Sequence, residues 1–221
     1  GKNAIDAVLM KQFTFITAAL TRTPLISFDK DAKACYDRMV MSLVNLRAQQ
    51  LGMPAQVCNL ISNTSDATEY HLKTSMGVST EFYKSTTDHP LYGAGQGKRD
   101  APAGWLVLST LLMEALTDKA TGASFCDPRQ TTTVHRAIDG YVDDVTAFTN
   151  NFEAALQGTA NWEELLPQMQ TAAQWWEELL HASGGKLELS KCFNYVITWV
   201  FDENSGRVRP ATIAETPGTL Q

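Results

Sequence analysis

Residues 133–149 read TVHRAIDGYVDDVTAFT, and this stretch decides how the rest of the chain is interpreted. It is rich in β-branched and aromatic residues on both sides of Asp143-Asp144, a pattern that predicts two short strands joined by a tight turn. The two aspartates then lie at the tip of a hairpin. Adjacent carboxylates repel each other and need a compensating charge, for which a divalent cation is a common solution. An ordinary solvated turn is the alternative, so the interpretation depends on partners elsewhere in the chain.

The composition limits the classes of protein to consider. With 221 residues and 44% hydrophobic content, we expect one domain with its own core. The net charge of -6 gives no overall electrostatic footprint for nucleic acid, which counts against nucleic-acid binding. The four cysteines are scattered without a CxxC pair, which favours reduced thiols in an intracellular protein. We see no stretch with the apolar length of a membrane span, and so expect no membrane partner.

Upstream of the hairpin, an amphipathic helix leads into a strand that ends in carboxylates. Apolar residues recur at helical spacing, and they are Ile5, Val8, Leu9, Phe13, Ile16 and Leu20. After Pro24, residues 25–28 form a buried strand that runs into Asp29 and Asp31. Carboxylates at a strand end lie at the edge of a sheet, where ligands commonly bind. Asp29 points the same way as Asp31 in an extended strand and competes with it as a candidate ligand.

The remaining pattern predicts further helices and strands. A helix that carries Met39 is expected to end near Gly52. Further helices are expected from Pro54 to about Ser62, from Trp105 to Leu116 and over residues 168–181, and strands over residues 68–74 and 193–201. The segment Tyr92–Gly97 contains three glycines and precedes Lys98-Arg99. It is consistent with an anion site or, alternatively, with a flexible turn.

This order predicts an α+β fold: a split β-α-β arrangement with an antiparallel sheet and helices packed on one face. In that arrangement Asp31 lies at the end of one central strand, and Asp143 lies at the tip of the neighbouring hairpin. We therefore expect these two carboxylates to converge. Asp139 is interpreted as a strand-end residue outside the site.

Four segments stand in order along the chain. The first is Asp31 followed by Tyr36-Asp37-Arg38, and the second is Gln96-Gly97 with Pro102. The third is Tyr141-Val142-Asp143-Asp144, and the fourth is residues 184–191, GGKLELSK. In this order they resemble the first to fourth palm motifs of reverse transcriptases, particularly those of non-LTR retrotransposons. The resemblance covers roughly residues 1–201.

The resemblance implies RNA-templated DNA synthesis by a retroelement nucleotidyltransferase. Asp31, Asp143 and Asp144 would hold two Mg²⁺ ions, for which Mn²⁺ can substitute. Tyr36 would lie beneath the incoming sugar and exclude a 2′-hydroxyl. Gln96 and Gly97 would border the nucleotide and template, and Lys191 would donate a proton or charge to the leaving group. The implied partners are an RNA template, a DNA primer and deoxynucleoside triphosphates.

By the same resemblance, residues 1–201 correspond to the palm with partial fingers and no thumb. Residues 202–221 are expected to be a polar tail or the start of a connection to a thumb. The sequence leaves three alternatives open: an RNA-dependent RNA polymerase palm, a catalytically inactive retroelement remnant and an unrelated metal-dependent hydrolase. Tyr36 argues against the first, the intact acidic motifs against the second, and the lack of a suitably spaced histidine against the third.

Overall fold

The computed structural model describes residues 4–95 and 98–216. Its helices are α1 (Ala4–Thr21), α2 (Cys35–Arg38), α3 (Met41–Gln50), α4 (Ala55–Asp66), α5 (Ala101–Thr117), α6 (Phe152–Gln157) and α7 (Leu165–Ala182). Its strands are β1 (Leu25–Asp31), β2 (Tyr70–Thr74), β3 (Gly77–Tyr83), β4 (Ala123–Cys126), β5 (Thr133–Arg136), β6 (Ile138–Tyr141), β7 (Asp144–Thr149), β8 (Phe193–Ile197), β9 (Trp199–Asp202) and β10 (Arg207–Pro210). The α+β class predicted from the sequence is confirmed.

The chain divides into two compact units. The first unit comprises Gly1–Lys33, Leu112–Leu180 and Lys186–Gln221. The second comprises Ala34–Leu111 and His181–Gly185. The expectation of a single domain stays a prediction, and each unit is described by itself.

The first unit is built on a four-stranded antiparallel sheet with the order β6-β7-β1-β8. The hairpin β6–β7 contains the two aspartates, and β1 pairs with β7 on one side and with β8 on the other. The strand ending in Asp31 is therefore the direct neighbour of the aspartate hairpin, as the sequence predicts. Because the register pairs Asp31 with Asp144, the side chains of these two residues emerge on the same face of the sheet. We call this the front face.

Helix α7 covers the opposite face, which we call the back face. Leu165, Met169 and Ala172 of the helix pack against Ile26 and Phe28 of β1 in one buried cluster. Their spacing is helical on α7 and alternate on β1, so each element turns one apolar side to the other. The buried side of α7 continues along the helix through Ala173, Trp176 and Leu180.

Helix α1 lies on the front face, whereas α7 lies on the back face. The sequence predicted helices on one face of the sheet only, and α1 departs from that prediction. Phe15 meets the ring of Phe148 edge-on at 6.3 Å between centroids, and Ala18 is buried with Leu25 and Phe125. Besides these apolar contacts, Lys11 of α1 forms an ion pair with Asp29 of β1.

The apolar stripe of α1 does not face the core, contrary to the amphipathic prediction. Its residues Ile5, Phe13 and Leu20 are exposed, Leu20 by 81%, whereas the fully buried positions of the helix are Thr14 and Ala18. The reason is that Lys11 pairs with Asp29 on the front face, and this contact fixes which side of the helix turns inward.

Helix α1 is also 18 residues long with a hydropathy of 1.2, which suffices for a membrane span by length and composition alone. The expectation that no stretch reaches such a length is wrong for α1. Core helices and signal sequences can have the same length and apolar composition. Length and composition therefore do not identify α1 as a membrane span.

The second unit contains α2, the packed pair α3 and α4, and the hairpin β2–β3. Strand β2 was predicted and β3 was not. Near the chain end, the run predicted as one strand is interrupted at Thr198, so that β8 joins the main sheet and β9 pairs with β10. The functional division at residues 201 and 202 stays a prediction.

Candidate active site

The hairpin between β6 and β7 has a two-residue turn that positions both aspartates. Tyr141 pairs with Asp144 across the ladder, which leaves Val142 and Asp143 at the tip. Val142 has a φ of 57°, a left-handed conformation that is strained for a β-branched residue. The turn therefore separates the two carboxylates: Asp144 belongs to the strand and Asp143 to the loop.

Asp31 and Asp144 lie opposite each other in the register of β1 and β7. Burial raises the pKa of the Asp144 carboxyl, and the neighbouring charges of Asp143 and Asp31 raise it further. Like charges and burial both disfavour the ionised form. The structure thus gathers Asp31, Asp143 and Asp144, although the residue directly facing Asp31 is Asp144 rather than the expected Asp143.

Lys191 is bonded to Asp31, with 2.7 Å between the Lys191 Nζ and Asp31 Oδ2 atoms. This hydrogen bond raises the pKa of the Lys191 ammonium. The loop that carries Lys191 is fixed to the end of β1 by backbone hydrogen bonds, from Glu188 N–H to the Asp31 carbonyl and from Lys33 N–H to the Lys186 carbonyl. The fourth motif therefore delivers its lysine to the first motif's aspartate.

Asp29, two residues before Asp31, has partners of its own. Its Oδ1 atom accepts hydrogen bonds from Lys11 Nζ and from Thr146 Oγ1. Thr146 lies opposite Asp29 in the register, and Lys11 reaches down from α1. The two carboxylates of β1 thus form ion pairs with different lysines, Asp29 with Lys11 and Asp31 with Lys191.

A cavity of about 630 Å³, which we call the front cavity, lies on the front face and is lined by these groups except Val142 and Asp143 of the turn. Its walls include the hairpin, the end of β1 and α1, with side chains from Lys11, Asp31, Tyr141, Asp144 and Phe193. Asp139 also lines it, so the prediction that Asp139 lies outside the site is wrong. The charge of Asp139 is matched by Arg136, with which it forms an ion pair.

The oxygen donors of the front cavity suit Mg²⁺ or Mn²⁺ chemically, because hard divalent cations prefer carboxylates. In the described part of the chain, however, no group of three His, Cys, Asp or Glu side chains is arranged to hold a metal ion. Lys191 occupies an oxygen of Asp31, and Lys11 one of Asp29. Carboxylate oxygens are suitable ligands for these cations, but lysine ammonium groups are paired with Asp31 and Asp29.

The other predicted site residues belong to the second unit. Tyr36 is half-buried in α2, which begins after Ala34 in a left-handed conformation. The Tyr36 carbonyl accepts a hydrogen bond from the Ala94 N–H at 2.7 Å, and Gly93 N–H donates to Met39. The first motif is therefore bonded to the segment that leads into the second. Gln96 and Gly97 themselves lie outside the described residues.

Lys11 and Thr146 were not among the residues predicted from the sequence to lie at the site. Lys11 is the only basic residue of α1, which has one acid, Asp6. A single lysine within an apolar helix is a signal that it has a specific partner. Thr146 carries no such signal, because a threonine in a strand is ordinary.

Comparisons with known proteins give a match in fold alone. No protein-family model matches the sequence, and no curated protein does. Telomerase from Candida tropicalis, solved with the TWJ fragment of telomeric RNA, matches with a TM-score of 0.55 and 12% identity, over 89% of this chain and 30% of its own. The corresponding Candida albicans structure matches with a TM-score of 0.55 and 12% identity, over 88% of this chain and 31% of its own.

A third structure, apo telomerase from Candida tropicalis truncated from its C-terminal domain, matches with a TM-score of 0.51 and 11% identity, over 96% of this chain and 40% of its own. The chain thus spans less than half of these proteins. It has a reverse-transcriptase-like palm fold, and the likeness to non-LTR retrotransposon enzymes in particular stays a prediction.

Proposed function

We propose that this chain is the palm, with part of the fingers, of a retroelement reverse transcriptase that synthesises DNA on an RNA template. The observation that carries this proposal is the pairing of Asp31 with Asp144 across β1 and β7, with Lys191 bonded to Asp31. Three separate motifs meet there, in a fold similar to that of telomerase. Two of the telomerase structures contain telomeric RNA, which supports RNA as a ligand of this chain as well.

In this proposal the acidic cluster holds the cations of a nucleotidyl transfer. Asp31, Asp143 and Asp144 would bind two Mg²⁺ ions, which neutralise phosphate charge and activate the primer hydroxyl when bound. Repulsion among the three carboxylates favours a cation, since each carboxylate raises the cost of ionising its neighbours. Burial is the main cause of the raised pKa of the Asp144 carboxyl, and the charges of Asp143 and Asp31 add to it.

Lys191 and Tyr36 have the remaining roles. Lys191 keeps its proton because Asp31 raises the pKa of its ammonium, and it would donate charge or a proton to the pyrophosphate once it leaves Asp31. Tyr36 would exclude the 2′-hydroxyl of a ribonucleotide, and Gln96 and Gly97 would border the nucleotide and template. The substrates are then deoxynucleoside triphosphates with a DNA primer and an RNA template.

The test is a thermal-shift titration of the 221-residue chain with Mn²⁺. At ten times the dissociation constant a ligand stabilises the folded state by about 1.4 kcal/mol, or about 3–6 °C for a chain of this size. We expect that rise for the wild type, a smaller one with Mg²⁺, which holds its water more tightly, and almost none for Asp143→Asn. Asp118→Asn, an exposed acid outside the front cavity, is the matched control and should respond as the wild type does.

Equal responses of the wild type and Asp143→Asn to millimolar Mn²⁺ would remove the hairpin from the metal site. A normal Mn²⁺ response without primer extension by the full-length protein would instead indicate an inactive remnant that has kept its cation site.

A further inference from the structure

The hairpin β2–β3 of the second unit is exposed on both of its faces. Its two strands pair with each other and with no third strand in the described part of the chain. Within the strands only Tyr70 and Ser79 are partly buried, whereas Leu72 and Val78 are exposed by 67% and 62%. A lone two-stranded hairpin is marginally stable at best, so this one indicates a partner that covers one of its faces.

Aromatic side chains are paired across the two strands. Tyr70 lies opposite Tyr83, and their rings stack nearly parallel, with 5.2 Å between centroids and 15° between planes. The next pair, His71 and Phe82, meets at 5.7 Å with 49° between planes. Because side chains alternate along a strand, the two pairs lie on opposite faces. The tyrosine pair is the flat one, and the Tyr83 ring is well placed to stack on a further planar group, since this residue is 59% exposed.

Positive charge accompanies these rings. Lys98 Nζ donates a hydrogen bond of 3.0 Å to the Tyr70 hydroxyl and lies 5.4 Å from the centroid of that ring. Lys84 Nζ lies 5.9 Å from the centroid of the Phe82 ring, and Lys73 is exposed on β2. The second unit has six basic and six acidic residues, so the net charge of -6 belongs entirely to the first unit. The hairpin therefore presents rings and ammonium groups on the unit that does not repel a polyanion by its net charge.

We propose that the tyrosine face of β2–β3 binds single-stranded RNA, with a nucleobase stacked on Tyr83 and a neighbouring phosphate bound by Lys98. Aromatic rings that stack on bases, combined with cations that bind phosphates, are the chemistry of single-strand binding without sequence preference. Bases within a duplex already stack on one another, so unpaired nucleotides are the ligand. This inference rests on the proposed function, because the RNA template is the single strand that the reaction requires. It goes beyond that function by assigning a surface of the second unit to the template.

The experiment measures binding of a fluorescein-labelled oligouridine to the 221-residue chain by fluorescence anisotropy at low salt. Tyr83→Ala should weaken binding about tenfold, because one base stacked on an aromatic ring contributes roughly that factor or more. Tyr83→Phe should bind as the wild type does, since the ring and not the hydroxyl makes the stack. Phe13→Ala, which removes an exposed ring from α1 in the first unit, is the matched control and should leave the affinity unchanged.

The salt dependence of binding tests the phosphate contact. Lys98→Met should reduce the slope of log affinity against log salt concentration by about 0.7, the contribution of one phosphate of a single strand. Lys119→Met removes the same charge and a cation–π contact in the first unit, and should leave the slope as in the wild type. These measurements keep Tyr83 in place, so they do not depend on the folding of Tyr83→Ala. In the wild type, a photoreactive iodouridine in the same oligonucleotide should cross-link to the peptide that contains Tyr83.

A wild type that binds no oligouridine, or that binds a duplex of the same length equally tightly, would overturn this inference. Equal affinities of the wild type and Tyr83→Ala, an unchanged salt slope in Lys98→Met or cross-links outside the hairpin would also overturn it. The Mn²⁺ response that depends on Asp143 is measured without RNA. It therefore decides the proposed function separately in each of these cases.

Discussion

Replacing Lys30 by methionine should stabilise the protein, and the gain should depend on pH. Lys30 is 2% exposed on the back face, and its Nζ atom has no hydrogen-bond partner among the described residues. Burial lowers the pKa of the Lys30 ammonium from 10.5 to about 7, although the charges of Cys192 and Asp29 act in the opposite direction. The unfolded chain therefore binds the Lys30 proton more tightly than the folded chain does.

The size of the stabilisation follows from the difference between the folded and unfolded pKa values of Lys30. A lowering from 10.5 to about 7 corresponds to a cost on the order of 5 kcal/mol. The rings of Trp176 and Phe28 lie 4.7 and 5.6 Å from Nζ, and their attraction for the ammonium is already included in the net cost that the pKa expresses. Lys30→Met, of similar length and apolar, should therefore raise the free energy of unfolding by about 4 kcal/mol at pH 7.

The sign of the pH dependence is fixed because a folded-state pKa below the unfolded one makes stability rise with pH. The cost of Lys30 is complete below the folded pKa and disappears as pH rises towards 10.5. The advantage of Lys30→Met should thus shrink to about 1 kcal/mol at pH 9.5. Urea unfolding of both proteins at pH 7 and pH 9.5 measures it.

Lys119→Met is the control for the loss of a cation–π contact, since Lys119 lies over the Trp175 ring at 5.5 Å but is exposed. Its effect should stay within about 0.5 kcal/mol. A Lys30→Met protein that is less stable than the wild type at pH 7, or an advantage independent of pH, would refute the reasoning, because the ammonium would then be solvated or paired in the folded state.

Three further outcomes are expected. Gly184→Ala should cost more than about 2 kcal/mol in urea unfolding, because φ is 90° and a Cβ would lie 2.1 Å from the Arg38 carbonyl oxygen; Gly158→Ala, with φ 71° and open space, should cost only about 1 kcal/mol. Gly140→Ala places a Cβ 2.0 Å from the end of Met113 and should lose about 1–3 kcal/mol, with Met113→Ala relieving part of that loss in a double-mutant cycle. Tyr36→Ala should raise ribonucleotide incorporation in primer extension by the full-length protein, and unchanged discrimination would leave Tyr36 a packing residue.

Local pattern was enough to predict the core of the site. The β-branched runs around Asp143 predicted the hairpin, and the apolar strand before Asp29 predicted its neighbour, because both signals lie within a few residues of sequence. The strand neighbours followed from the split β-α-β order. Strand β4 was missed, since four residues are too few to show a period.

The remaining errors concern contacts between distant elements. The side of α1 that turns inward is set by Lys11 and Asp29, which are 18 residues apart and belong to different elements. The periodicity of a sequence shows on which side of a helix the apolar residues lie. It does not show which side of the helix will contact the sheet when that face of the sheet contains charged residues. The Thr146 contact with Asp29, across 117 residues, is likewise invisible to local pattern.

That long separation has a consequence for the order in which the molecule is made. During synthesis at about 5–20 residues per second, β1 emerges roughly 6–23 seconds before the strand that will cover one of its edges. Through that interval the segment Leu25–Asp31 has bare backbone donors and acceptors and apolar side chains that will later be buried. The ribosome therefore releases β1 before both of the strands that pair with it, β7 and β8. A nascent chain that stops short of Asp144 lacks the carboxylate that lies opposite Asp31.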